Sequence, residues 1–196
     1  MTGRQENKEK RMRKLLVFNS VTLDGYFTDQ NGDMSWAHKQ ADPEWDAFTA
    51  ENAKSGGELL FGRVTYDLMA SFWPTPAAAK MAPEIAESMN KAPKVVFSKK
   101  MDKASWNNTR IIKGDLVKEI RKLKEAPGDG LVLMGSGTII SQIALGGVID
   151  EYQMVVNPLA LGKGRTMFDG IEGKLNLTLA STRAFQNGNV LLSYKA

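Results

Sequence analysis

Residues Leu131-Val132-Leu133-Met134-Gly135-Ser136-Gly137-Thr138, with the apolar stretch behind them, constrain the fold more than any other part of the chain. Four apolar residues in a row read as a buried strand. A Gly-Ser-Gly turn follows, and Ile139, Ile140, Ile143 and Ala144 then fall at helical spacing. Gly146-Gly147 supplies a helix stop, because glycine reaches the left-handed conformation without steric cost. A strand passing through small residues into a helix start presents unpaired N–H groups to an anion. Two readings stay open: a phosphate or pyrophosphate seat, or a tight turn whose glycines only permit close packing. The third glycine of the dinucleotide fingerprint is missing, since Ile140 stands there.

The same stretch has the length of a membrane span, since residues 130–149 hold no charge. Five of those twenty residues are glycine, and Ser136, Thr138, Ser141 and Gln142 interrupt the apolar run. Strand, turn and short helix explain it better, and no membrane partner is expected.

The remaining chain repeats the alternation. Lys14 to Val21 reads as a first strand, followed by Asp24-Gly25 and a polar loop. Asp42 and Pro43 make the N-cap and first position of a helix with Trp45 and Phe48 on one face. Glu58 to Phe61 and Lys94 to Phe97 read as strands, and Arg110 to Ile112 as another. Helical patterns follow Arg63, run from Glu84 to Asn90, and span Asp115 to Glu125; residues 72–76 read as a rigid connection. Glu151 to Pro158 is a late strand, and residues 175–183 and 190–195 pair around Asn187-Gly188. Such alternation predicts an α/β sheet, parallel for most of its length, with an antiparallel C-terminal hairpin.

Composition narrows the chemistry. The 196 residues include no cysteine and one histidine, His38, which reads as a solvent-exposed loop residue. Disulfides, thiolate nucleophiles, Ser-His-Asp triads and multi-histidine metal sites are thereby excluded. The net charge of +4 lies in residues 1–14, which hold six basic and two acidic residues, whereas residues 15–196 hold 20 of each. A disordered basic arm over residues 1–12 and a single domain over 13–196 are expected. The neutral domain argues against a nucleic-acid partner. No apolar segment suited to a signal peptide follows the arm, so a cytoplasmic location is expected.

Three predicted strands end alike: Leu60-Phe61 runs into Gly62-Arg63, Val96-Phe97 into Ser98-Lys99, and Leu133-Met134 into Gly135-Ser136-Gly137. In open α/β sheets ligands sit outside the carboxyl ends of the strands. Small residues there allow close approach, and Arg63 and Lys99 bring positive charge to phosphates.

These segments, with the first strand and Asp24-Gly25, resemble the dihydrofolate reductase superfamily. Asp150-Glu151-Tyr152 and Asn157-Pro158-Leu159-Ala160-Leu161-Gly162-Lys163-Gly164-Arg165 resemble one branch of it, the reductase domain of the riboflavin-biosynthesis deaminase-reductase. The resemblance covers residues 13–196 and implies a mixed, mostly parallel eight-stranded sheet flanked by helices, binding NADPH across the strand ends. It puts Gly62, Arg63 and Thr65 at a helix that receives a cofactor phosphate, and Ser98 and Lys99 at the adenosine 2′-phosphate. It puts Gly135, Ser136, Gly137 and Thr138 under the pyrophosphate and nicotinamide, with Asn19 also on the cofactor side. Homodimers are frequent in this branch.

Hydride transfer to a C=N bond leaves a nitrogen needing a proton, which a carboxylic acid or a water held by one supplies. By the resemblance Glu44 is the positional match, one turn before Phe48; the other reading is a charge stabilising the helix N-terminus. Asp24 is the second candidate, with a plain Asp-Gly turn as its alternative. Trp36, Phe48 and Arg165 are candidates for holding the substrate, a small pteridine- or pyrimidine-like heterocycle. A nucleotide-binding protein without catalysis, on the same fold, is the competing functional expectation.

Overall fold

The computed structural model describes residues 12–38 and 42–196. The expected N-terminal arm falls almost wholly outside them, as does the side chain of His38. Eight strands form one sheet in the order β5-β4-β3-β6-β1-β7-β10-β9. They are β1 (Leu15–Thr22), β3 (Glu58–Gly62), β4 (Lys94–Phe97), β5 (Thr109–Ile112), β6 (Leu131–Met134), β7 (Glu151–Asn157), β9 (Thr178–Ala184) and β10 (Val190–Lys195). The strands from β5 across to β7 pair in parallel; β10 is antiparallel to β7 and to β9. Among the described residues six α-helices accompany the sheet: α1 (Pro43–Lys54), α2 (Arg63–Phe72), α3 (Pro76–Met81), α4 (Pro83–Lys91), α5 (Leu116–Glu125) and α6 (Gly137–Ile143). None of the described helices is long and apolar enough to cross a membrane.

The short apolar runs are buried on both sides, which is why they do not alternate in sequence. On one face Leu15, Val17, Leu60, Val95, Leu131 and Leu133 pack against Ile120 and Leu123 of α5 and Ile139, Ile140 and Ile143 of α6. On the other, Leu59, Phe61 and Val96 meet Tyr66, Met89 and Trp106. The Tyr66 hydroxyl accepts from the Trp106 backbone N–H at 2.8 Å, so this aromatic cluster buries no unpaired phenol. Asp42 caps α1 by accepting from the Glu44 and Trp45 N–H groups, and Pro43 follows at the first helical position as expected.

Buried charge collects at the amino ends of the strands. Glu58 is 4% exposed and holds Arg13 at 3.0 Å and Arg110 at 2.5 Å. Asp150 accepts from the Leu15 N–H and pairs with Lys124. Lys94 is fully buried with no carboxylate partner among the described residues; its ammonium donates to the carbonyls of Asn90, Ala92 and Asn107. It also lies 4.4 Å from the Trp106 ring centroid. Burial brings its pKa down to about 8.

Two elements differ from expectation. The rigid connection at residues 72–76 runs into α3, because the Thr75 hydroxyl accepts from the Ala78 N–H and Pro76 opens a new helix. A two-stranded ribbon, β2 (Tyr26–Thr28) with β8 (Arg165–Thr166), replaces part of what reads as loop. Gly164 permits it: a Cβ there would come within 2.3 Å of the Thr28 carbonyl.

Candidate functional site at the carboxyl ends of the strands

Sheet order brings three of the sequence features together. The strands β4, β3 and β6 are consecutive and parallel, so their carboxyl ends share one edge of the sheet. Ser98-Lys99, Gly62-Arg63 and Gly135-Ser136-Gly137 therefore follow three neighbouring strands. The first N–H groups of α2 and α6 point out along the same edge, where no intrahelical acceptor meets them.

Hydrogen bonds join two of these turns. The Gly62 N–H donates to Ser136 Oγ at 2.8 Å, and that hydroxyl donates to Thr65 Oγ1 at 2.8 Å. Gly135 and Ser136 are both left-handed, at φ 60° and 63°, which serine tolerates only when its surroundings hold it. Crowding explains the glycines. A Cβ on Gly135 would stand 2.8 Å from Thr65 Cγ2, and one on Gly137 would stand 2.8 Å from the Phe27 ring.

The cationic candidates stand at the rim. Arg63, the first residue of α2, is half exposed and pairs with Asp67 one turn on at 2.8 Å. An exposed pair of this type contributes little, so the guanidinium is cheaply released to a better anion. Ser98 Oγ accepts from the N–H groups of Lys100 and Met101, which shapes the turn and leaves Lys99 exposed. Beside the start of α6 lies a cavity of about 410 Å³, lined by Phe27, Thr138, Gly164, Arg165, Thr166 and Asp169.

The other candidates separate into two places. Asn19, 4% exposed on β1, donates its amide to Met167 Sδ. The Met167 Cα in turn lies 3.4 Å from where a Gly137 Cβ would be, so Met167 connects Asn19 to the Gly-Ser-Gly turn. Asp24 stands just past the end of β1. Its carboxylate accepts from the Thr22 hydroxyl and from the Leu161 and Gly162 N–H groups at 3.0 and 2.7 Å. Those bonds, the Thr22 hydroxyl first, hold its pKa below the usual value. Arg165 reaches the same cavity from β8, and its guanidinium is 3.5 Å from the Gln30 carbonyl.

Glu44 and Phe48 lie elsewhere. Glu44 accepts from both Nε and Nη2 of Arg183 on the edge strand β9. Phe48 stacks with Trp45 and Phe185 at centroid distances of 5.6 and 5.3 Å, with Arg183 over the rings. Trp36 is buried in a short 3-10 turn, and its indole N–H has no partner among the described residues. Sequence reading missed Phe27, Met167 and Asp169. The first two look like ordinary core residues, and Asp169-Gly170 looks like a simple turn.

No described residues group as three or more metal-ligating side chains. Residues 13–191 match the family described as the RibD C-terminal domain. An uncharacterised protein of Bacillus subtilis, YyaP, is 27% identical over 184 residues, covering 94% of this chain and 95% of its own. A putative riboflavin biosynthesis protein from Shewanella sp. PV-4 superposes with a TM-score of 0.70 at 24% identity, covering 93% of this chain and 98% of its own. Dihydrofolate reductase from Enterococcus faecalis, complexed with NADP(H), superposes at 0.59 with 15% identity, covering 93% and 95%. The parallel strands with their shared carboxyl edge are thus a dihydrofolate reductase-like fold, and the chain belongs to the RibD C-terminal domain family.

Proposed function

We propose that this protein is an NADPH-dependent reductase that transfers hydride to a small pteridine- or pyrimidine-like heterocycle. One observation carries the reading: three adjacent parallel strands end in small or cationic residues on one edge, and Ser136 bonds two of those ends together. Diphosphate needs that combination of close backbone approach and positive charge. The family and a fold neighbour complexed with NADP(H) support it.

The residues fit such a cofactor. Gly62, Gly135 and Gly137 let Ser136, Thr65 and Phe27 pack directly on the backbone of the strand ends, which brings the hydroxyls of Thr65 and Ser136 to that edge. On this reading Thr65 and Thr138 donate to phosphate oxygens, Ser136 orients the Thr65 hydroxyl by donating to it, and Arg63, Ser98 and Lys99 take the adenosine 2′-phosphate. Asn19 fixes the floor beneath the nicotinamide through Met167. Bound NADPH supplies the hydride. The protein's own task is to hold the heterocycle edge-on and to let a proton reach its nitrogen.

Asp24 is the better supported of the two carboxylates for the proton step. It stands at the strand-end edge, and because it is held anionic its role is to orient a water rather than to donate directly. Glu44 takes part on this reading only if it releases Arg183. Arg165 would close the heterocycle from the ribbon, whereas Phe48 is packed with Trp45 and Phe185 and is not in the lining of that cavity.

A second reading, cofactor binding without turnover, draws support from the engagement of both carboxylates in protein contacts. Single-turnover oxidation of bound NADPH by a panel of pterins and aminopyrimidines separates them: oxidation supports the reductase, and binding with no oxidation across the panel supports the second. A homodimer is proposed as well, because β9 ends the sheet and is exposed along its whole length. Sedimentation velocity reads that directly.

A further inference from the structure

Helix α1 is attached to the fold differently from the other five. None of its residues is buried, whereas α2, α3, α4, α5 and α6 each bury at least one side chain. Its apolar hold is Trp45 and Phe48, partly buried beside Val155, Phe185 and Leu191. The remaining hold is polar and falls mainly on one partner, the β9–β10 hairpin. Asp42, which caps α1, also accepts from the Asn187 N–H at 3.0 Å. Arg183 donates from Nε and Nη2 to Glu44 Oε1 at 3.1 and 2.8 Å. Its guanidinium lies 5.6 Å from the Phe48 ring centroid and 4.8 Å from that of Phe185. Both side chains of the ion pair are nearly half exposed. At the other end of α1, Lys54 meets Glu84 of α4 in a second exposed pair.

The hairpin turn stands at the carboxyl edge of the parallel strands, because Val190 pairs with Val156 near the end of β7 and with Ala184 at the end of β9. Arg183 and Glu44 therefore meet on the ligand edge of the sheet. Gln153 shares a sheet face with Val155, two residues on, and its buried Oε1 has no partner among the described residues. Water admitted under α1 would satisfy that acceptor, which lowers the cost of opening. We propose that α1 lifts from the sheet as a unit while the strands stay folded, and that Arg183 is the latch holding it down at the ligand edge. A segment with few buried apolar contacts opens for much less than the global free energy. The exposed pair adds little and yields to salt, and the ring contact adds a comparable amount. The latch governs access to the edge whichever ligand binds there, so it stands apart from the reductase reading.

Hydrogen exchange read by mass spectrometry tests the latch on the full chain without cofactor. In the parent, the amides of residues 47–54 should exchange faster than those of β3, β4 and β6. Arg183→Ala removes the ion pair and the ring contact together. Exchange of residues 47–54 should then rise roughly five- to thirtyfold, while the three strands keep their rates. Raising sodium chloride from about 0.05 to about 0.5 M should speed the α1 amides relative to the strands in the parent, and much less in the variant. Exchange of α1 in step with the strands in the parent would overturn the proposal, as would unchanged α1 rates in Arg183→Ala. Strands and α1 speeding up together in the variant would make Arg183 a support of the whole fold and not a latch. Equal salt responses in parent and variant would likewise remove the pair as the latch.

Discussion

Gly135→Ala should destabilise the protein for two separable reasons. The residue sits at φ 60°, where a Cβ costs about 1–2 kcal/mol. That Cβ would also stand 2.8 Å from Thr65 Cγ2 and 3.0 Å from Thr65 Oγ1. Overpacking of this kind costs about 1–3 kcal/mol, so the total is roughly 2–5 kcal/mol. Thr65→Ala removes both offending atoms and leaves the Thr65 Cβ at 3.5 Å, an ordinary contact. Alone it also breaks the Ser136 hydroxyl bond to Thr65, worth about 1 kcal/mol. In the double variant the overlap disappears while the φ strain remains. Urea unfolding of the four proteins, followed by tryptophan fluorescence, should therefore give a favourable coupling of about 1–3 kcal/mol. Additivity within about 0.5 kcal/mol would mean that the turn is not packed on Thr65, and would refute crowding as the reason for glycine at 135.

Three further outcomes are expected. Lys94→Met should lose stability relative to the parent as pH rises: the parent's buried ammonium has a pKa of about 8 against 10.5 unfolded. Its charge therefore costs stability in full below pH 8, and that cost disappears toward pH 10.5. The parent should gain up to ~3 kcal/mol on the variant over that window, and a flat difference would contradict the buried charge. Asp24→Asn should lower stability at neutral pH by loosening the residue 161–162 loop. Because the folded pKa is depressed, the difference from the parent should be full above the unfolded value of 3.8 and fade as pH falls below it, as acid unfolding curves will read. On the identified substrate, Asp24→Asn should slow turnover by roughly 10²–10⁴, while Glu44→Gln, whose partner is Arg183, should change it by less than about tenfold. Parental rates in both would send proton delivery to another group.

The sequence was most legible where local chemistry decides structure. The Asp42 cap with Pro43 and the apolar runs of β3, β4 and β6 are visible because capping and burial act over a few residues. The adjacency of the three strand ends was implied by their similarity, but it became a site only through sheet order, which no single segment encodes. Thr75-Pro76 was read as a connection because proline suits both a turn and a helix start. The β2–β8 ribbon escaped because it depends on a backbone contact between Gly164 and Thr28, 136 residues apart in sequence. Asp24 and Glu44 look alike as free carboxylates in sequence, and only the fold supplies their partners at residues 161–162 and 183.

The central claim is the NADPH seat along the β4, β3 and β6 ends, and paired cofactor titrations test it most directly. The 2′-phosphate distinguishes NADPH from NADH, and Arg63 and Lys99 bring positive charge to that edge. Calorimetry of the parent, Arg63→Ala and Lys99→Ala with both cofactors should show NADPH binding tighter than NADH in the parent. Removing the residue that meets the 2′-phosphate should weaken NADPH roughly ten- to a hundredfold and leave NADH nearly unchanged. Equal affinity of the parent for the two cofactors, or binding of neither, would contradict the account.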